Sequence, residues 1–335
     1  HRRDALTGAR SSARHGERAG VSRSTDPAQL LDQARDGNRP ALARLLSYVD
    51  RGGEPAEVVD RLVWSHGGHA YTVGITGAPG AGKSTLTSAV IAQLRSRSER
   101  VAVLAIDPSS PFTGGAILGD RVRMGDHSLD GDVFIRSMAT RGHLGGLALA
   151  APAAVRVLDA VGTDWVLLET VGVGQVEVEV AGTADTTVVV VNPGWGDAVQ
   201  ANKAGLLEIA DIFVINKADR VGAAATRRDL EGMLELSAHS DWHPLILETV
   251  ATEGAGVDEL VDAVSAHRAH LDECGRLVEA RTARARRELE ALVAARFEVQ
   301  ARAVAGTDEF EATLAEVVAR TLDPASAAAR LSGGH

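Results

Sequence analysis

Residues 71–84 read YTVGITGAPGAGKS: a short β-branched run, a glycine-rich turn, then a Lys-Ser pair opening a helix. The spacing from Gly77 to Gly82-Lys83-Ser84 is G-x-x-x-x-G-K-[ST]. In a strand–turn–helix setting that spacing commits the chain to an α/β core with a polyphosphate cradle. Gly77, Gly80 and Gly82 permit backbone angles and close approaches that a Cβ forbids. Successive N–H groups can then converge on one concavity at the positive end of a helix. The cradle is expected to run from Gly77 through Ala78, Pro79, Gly80, Ala81 and Gly82 to Lys83, Ser84 and Thr85. Lys83 would reach the β- and γ-phosphates, and the Ser84 hydroxyl would ligate Mg²⁺.

From residue 71 onward the pattern alternates strand and helix. Strands are expected at 71–76, 101–107, 132–138, 165–169, 186–192, 211–216 and 245–249, with helices near 83–96, 144–162, 198–208, 224–238 and 256–270. Runs such as VAVLAID and TTVVVVN are continuously apolar, as in a sheet covered on both faces. The expected fold class is α/β: a doubly wound, mostly parallel sheet with helical extensions at both ends. Ligands in such sheets bind at the carboxyl ends of the strands.

The division expected is a flexible Arg-rich tail at 1–25, a helical preface at 26–68, the nucleotide domain at 69–272 and a helical arm at 273–335. In the preface, residues 54–65 read as a third helix. In the arm, Leu289, Leu292, Val293 and Phe297 make one helical stripe, and Phe310, Leu314, Val317, Val318 and Leu322 another. Such a helical pair serves either self-association or packing onto its own domain.

Composition narrows the partners. A net charge of −10 and only 3% aromatics argue against nucleic-acid binding, which needs a basic face and stacking platforms. No apolar run approaches the ~20 residues that span a bilayer. Cys274 stands alone, which excludes an intrachain disulfide and a cysteine-cluster metal site. A cytoplasmic setting is the simplest expectation. His66, His69 and Cys274 have no accompanying ligand cluster and read as ordinary loop residues.

Asn216-Lys217-Ala218-Asp219 follows the strand DIFVI, well downstream of the phosphate loop. The Asp219 carboxylate is acceptor-only, so it can take both the ring N–H and the exocyclic amine of guanine. Adenine offers no such pair of donors. Asn216 would orient the base and its loop, and the Lys217 stem would cover the base. Thr249, Val250 and Ala251, after the last strand, are expected to present backbone N–H groups to the guanine oxygen. Glu169 ends the strand WVLLE, where a carboxylate can hold the metal shell, and the Gly172 N–H would meet the γ-phosphate. Val173 follows that glycine where a water-positioning Gln often stands, so slow intrinsic hydrolysis is expected. Asp107 opens a Gly- and Ser-Pro-rich loop that also contains Asp120; both could approach the metal or serve only as a turn cap and a solvated acid. Asp197, Gln200 and Lys203 could form a charge-linked switch after TTVVVV, or an exposed helix start.

Together GAPGAGKST, DPSSPFTGGAILGDRVRM, ETVGVGQVEVEVAGTADT, GDAVQANKAGLLEIAD, NKAD and ETVATEG resemble the MeaB/ArgK GTPases, over roughly residues 40 to 270. That family consists of chaperones for adenosylcobalamin-dependent acyl-CoA mutases such as methylmalonyl-CoA mutase. The resemblance implies Mg-dependent conversion of GTP to GDP that gates cofactor loading and protects the mutase, and a homodimer built partly through C-terminal helices. It assigns Lys83, Asp107, Glu169 and Lys203 to catalysis and Ser84, Asp107, Asp120 and Glu169 to the metal. It makes Asp197, Gln200 and Lys203 a further switch that relays nucleotide state. Two alternatives stand beside it. A nickel or cobalt metallochaperone GTPase would want a Cys- or His-rich delivery cluster, and a transport-system kinase would want ATP, against which Asp219 argues.

Overall fold

The computed structural model of the chain describes residues 25–107, 127, 129–139, 146–170, 180–194, 205, 208–236 and 241–332. Seven strands make one sheet: β1 (Tyr71–Gly77), β2 (Val101–Asp107), β3 (Val133–Ala139), β4 (Trp165–Thr170), β5 (Thr186–Val191), β6 (Ile212–Asn216) and β7 (Leu245–Thr249). Their order is β3-β2-β4-β1-β5-β6-β7, and every pairing is parallel. The "mostly parallel" expectation thus becomes wholly parallel. Strand β1 is central and carries the glycine-rich turn at its carboxyl end, between β4 and β5.

Both faces of the sheet are covered, which is why its strands carry apolar residues at nearly every position. On one face Tyr71, Val73, Ile75, Leu167, Val188 and Val190 meet α4 (Lys83–Ser96) and α7 (Val257–Glu273). On the other, Ala102, Leu104, Ile106, Val166 and Leu168 meet α5 (Gly146–Ala160) and the N-terminal helices. Those are α1 (Pro27–Arg35), α2 (Arg39–Arg51) and α3 (Glu54–Val63). Asp26 caps α1 by accepting the Ala28 N–H at 3.1 Å, with Pro27 in the first turn. Asn38 does the same for α2 through Ala41 N–H at 3.0 Å. The third helix is shorter than the sequence suggests and tightens into a 3₁₀ turn at Trp64–His66. Helix α6 (Ala223–Glu235) packs its Ala223 and Leu230 against Phe213 and Ile215 of β6.

The arm contains three helices where the sequence suggested a pair: α8 (Arg276–Ala305), α9 (Asp308–Val318) and α10 (Pro324–Leu331). The first part of α8 is gripped by the body. Asp185, whose side chain is only 1% exposed, takes Arg281 at 2.8 Å and also pairs with Arg284. It further accepts the Thr72 N–H of β1 at 3.1 Å. Burial alone would raise the Asp185 carboxyl, but Arg281 and Arg284 hold it below its usual range. Arg156 of α5 makes a bidentate pair with Glu288, at 2.9 and 2.8 Å, and also reaches Asp60 of α3 at 2.6 Å. Past Glu288 a solvent-exposed pair, Arg296–Glu57 at 3.6 Å, reaches back to α3. The predicted stripe does lie on α8, but Leu289, Leu292, Val293 and Phe297 are exposed, as are Leu314 and Val318 of α9.

No helix of the described residues is long and apolar enough to cross a membrane. The tail at 1–24 and most of the helix expected at 198–208 lie outside the described residues.

Candidate functional site

The phosphate loop turns on glycines where it must. Gly77 ends β1 at φ 130°, in register with Val190, and a Cβ there would lie 2.0 Å from the Val190 carbonyl oxygen. Gly82 sits at φ 91° just before α4, and a Cβ would lie 2.5 Å from Asn216 Nδ2. The loop therefore presses against both β5 and the last residue of β6, which no side chain would allow. The α4 N-terminus then opens on Lys83 and Ser84, beneath the turn.

Lys83 is only 7% exposed, and its ammonium donates to the Gly77 and Ala78 carbonyls at 2.8 and 3.1 Å. Pro79 and Gly80 are exposed at the loop's crest, and Ala81 is buried at its base. The Ser84 hydroxyl donates to Glu169 Oε1 at 2.5 Å, and Glu169 is 2% exposed. A hydroxyl and a buried carboxylate side by side, at the head of the phosphate loop, form a hard-oxygen donor set. Mg²⁺ takes such a set, one carboxylate with a hydroxyl and substrate phosphate oxygens completing its shell. The residues present fit the ion.

The Asn216–Asp219 segment is tied to the same turn. Asn216 Nδ2 donates to the Ala81 carbonyl at 2.9 Å, and its Oδ1 accepts the Thr249 hydroxyl at 3.1 Å and the Ala251 N–H at 3.2 Å. Lys217, at φ 61°, donates from Nζ to the Gly80 carbonyl at 2.6 Å. Asn216 orients the two loops, its side chain being engaged within the protein. The Val250 and Ala251 N–H groups are turned inward, to the Ala255 carbonyl at 3.0 Å and to Asn216. Asp219 is exposed, with no partner among the described residues, and its carboxylate is open to a base.

Asp107 closes β2 one residue beyond the Ile106–Thr170 rung, so its backbone stands beside the Glu169 strand end. Asp120, Gly172, Val173, Asp197, Gln200 and Lys203 lie outside the described residues. His66 and His69 are exposed, His66 meeting Arg35 at 3.3 Å, and Cys274 is exposed at the end of α7, 3.8 Å from His270. Two residues escaped the sequence reading: Thr76 and Thr170, fully buried behind the loop with hydroxyls 3.0 Å apart. The one signal for them is a hydroxyl residue beside a motif residue: Thr76 directly before Gly77 and Thr170 directly after Glu169.

A phosphate cradle, a hydroxyl–carboxylate pair and an open aspartate at the carboxyl ends of β1, β4 and β6 describe a nucleotide-binding site. The family described as methylmalonyl-CoA mutase-associated GTPase MeaB matches residues 42–307. The chain belongs to this MeaB family. Its relatives are similar across most of its length. A protein of Pyrococcus abyssi whose name marks it as a GTPase is 50% identical over 304 residues, 90% of this chain and 94% of its own. GTPase ArgK of Escherichia coli is 37% identical over 76% of this chain and 80% of its own. The mouse mitochondrial methylmalonic aciduria type A homolog is 38% identical over 58% of this chain and 48% of its own. The fold of the LAO/AO transport system kinase matches with a TM-score of 0.66 at 28% identity, over 91% of this chain and 96% of that one. As a MeaB-family member the chain is a P-loop GTPase that binds GTP and GDP.

Proposed function

We propose that this GTPase is a Mg-dependent chaperone for an adenosylcobalamin-dependent acyl-CoA mutase, gating cofactor loading and protecting the mutase through its GTP cycle. The observation that carries the reading is the match over residues 42–307 to a family described by its association with methylmalonyl-CoA mutase. The name of the mouse relative points the same way.

The site supports the chemistry in residue terms. When bound, Mg²⁺ neutralises charge on the β- and γ-phosphate oxygens. Ser84 and Glu169 would hold it, with Asp107 and Asp120 reaching its shell. Lys83, already poised on the Gly77 and Ala78 carbonyls, turns its ammonium to the phosphates. Gly172 meets the γ-phosphate, and Asp197, Gln200 and Lys203 relay its presence to the partner. Asp219 selects guanine, while Asn216 and Lys217 keep the base-reading loop on the phosphate loop. With Val173 rather than Gln after Gly172, hydrolysis is slow until the mutase binds.

The exposed apolar side chains of α8 and α9 support self-association, so we assign the chain a homodimer built through its arm. It works in the cytoplasm, with no nucleic-acid or membrane partner.

The test is GTP turnover of the full chain with and without a purified adenosylcobalamin-dependent acyl-CoA mutase. The mutase should raise the rate at least tenfold, and a cobalamin-independent enzyme should leave it unchanged. No acceleration by any mutase of this class sinks the chaperone reading.

A further inference from the structure

Strand β1 carries the phosphate loop and β4 carries Glu169, so the geometry of the Ser84–Glu169 pair depends on what joins these two strands at the level of the site. The backbone joins them only so far. The β1–β4 ladder runs from Tyr71–Trp165 to Ile75–Glu169 and stops there. On its other side β1 stays paired with β5 two residues further, to Gly77–Val190. On the far side of β4, pairing with β2 continues to Ile106–Thr170. Between β1 and β4, then, the seam opens at the carboxylate itself.

One contact bridges the seam just above that last rung. The Thr170 hydroxyl donates to Thr76 Oγ1 at 3.0 Å, and both residues are fully buried. Alternation along the strands puts this pair on the face opposite α4, behind Glu169 and Gly77. Thr76 directly precedes the first glycine of the loop, and Thr170 directly follows the carboxylate. A buried hydroxyl without its partner is penalised, so the pair resists separation and the seam is held at one width.

We propose that Thr76 and Thr170 are positioning residues that replace the missing rung, holding Glu169 at its distance from Ser84 and thereby setting the affinity of the site for Mg²⁺. Neither touches substrate; both act through their neighbours. The proposal rests on the reading of Ser84 and Glu169 as the cation's protein ligands.

The experiment uses the full chain loaded with a fluorescent GDP analogue, with nucleotide release followed across Mg²⁺ concentration for wild type, Thr170→Val, Thr170→Ser, Thr76→Val and the double valine variant. Thermal midpoints are recorded alongside. Wild-type release should slow with added Mg²⁺; if it does not, the metal reading of Ser84 and Glu169 fails first. Given that dependence, the valine variants should require about tenfold more Mg²⁺ for the same retention, and Thr170→Ser should restore the wild-type midpoint. The double valine variant removes both partners and leaves no unsatisfied buried group, so it should fold even if a single valine does not. A double variant with an unshifted Mg²⁺ midpoint overturns the proposal, whatever its thermal midpoint, because a purely structural pair would move the second and not the first.

Discussion

The His267 ring of α7 and the Asp211 carboxylate just before β6 face each other at 3.5 Å, each held toward its uncharged form. Burial, with a smaller push from His270, pulls His267 down to about 4, against a weaker pull upward from Asp185. Burial pushes Asp211 up to about 6, opposed by the Thr187 N–H. Thr186 Oγ1 lies 2.8 Å from His267 Nδ1 and 2.7 Å from the Tyr71 hydroxyl, whose own ionisation burial makes harder. The carboxylate favours the tautomer with the proton on Nε2.

The signs of the two shifts oppose each other. His267 loses stability for the fold as pH falls from 6.5 toward 4, because the unfolded chain takes the proton first. Asp211 adds stability as pH falls from about 6 toward 3.8, because the folded chain takes it first. Asp211→Asn should therefore become about 1–2 kcal/mol less stable, relative to wild type, between pH 6 and 4. Urea midpoints across that range measure it, and parallel profiles would contradict the pairing.

Lys83→Ala removes a buried ammonium whose hydrogen bonds run to the loop it braces. GTP affinity should fall by about 10- to 100-fold, the worth of one or two charge-assisted bonds to phosphate. Calorimetry with GTP reads the change, and circular dichroism should show the helical fold retained. Unchanged affinity would remove Lys83 from the site.

Among the described residues, the exposed Asp219 carboxylate is the group to which we assign discrimination of guanine from adenine. Wild type should favour GTP over ATP by about 10³-fold or more, and Asp219→Ala should bring the two within about tenfold. Competition binding with both nucleotides decides this. A retained preference would mean that guanine is read elsewhere.

Two glycines of the same turn should respond differently to alanine. At Gly77 the new methyl meets the Val190 carbonyl at 2.0 Å, so Gly77→Ala should destabilise by about 3 kcal/mol or more, or fail to fold. At Gly80 there is open space and only the left-handed backbone at φ 74°, so Gly80→Ala should lose about 1–2 kcal/mol. Thermal unfolding of the two variants tests the contrast.

The strands and the phosphate loop were legible because apolar runs, glycines and the Lys-Ser pair each answer to a local rule. Ser84, at the head of α4, and Glu169, near the end of β4, lie side by side, as a strand–turn–helix at a sheet's carboxyl edge implies. Val250 and Ala251 were harder, because residue type does not say which way a backbone N–H points; that was decided by Asn216 Oδ1. The roles of Arg281 and Arg284 have no local signal, since their partner Asp185 lies about a hundred residues earlier in the chain. The stripe on α8 announced a helix correctly, yet periodicity alone could not say that Leu289 and Phe297 would face solvent.

That helix is a cantilever. Its near end is bolted through Arg281 and Arg284 to Asp185, and Asp185 holds the backbone of Thr72 in the strand that carries the phosphate loop. From Glu288 to Ala305 it projects about 25 Å, with exposed apolar side chains along the way. Load applied on that span reaches the body through Arg296–Glu57, Glu288–Arg156 and Asp185, the last at the root of β1, so a chain shortened to end at Glu288 would keep the inner bolts and lose the lever.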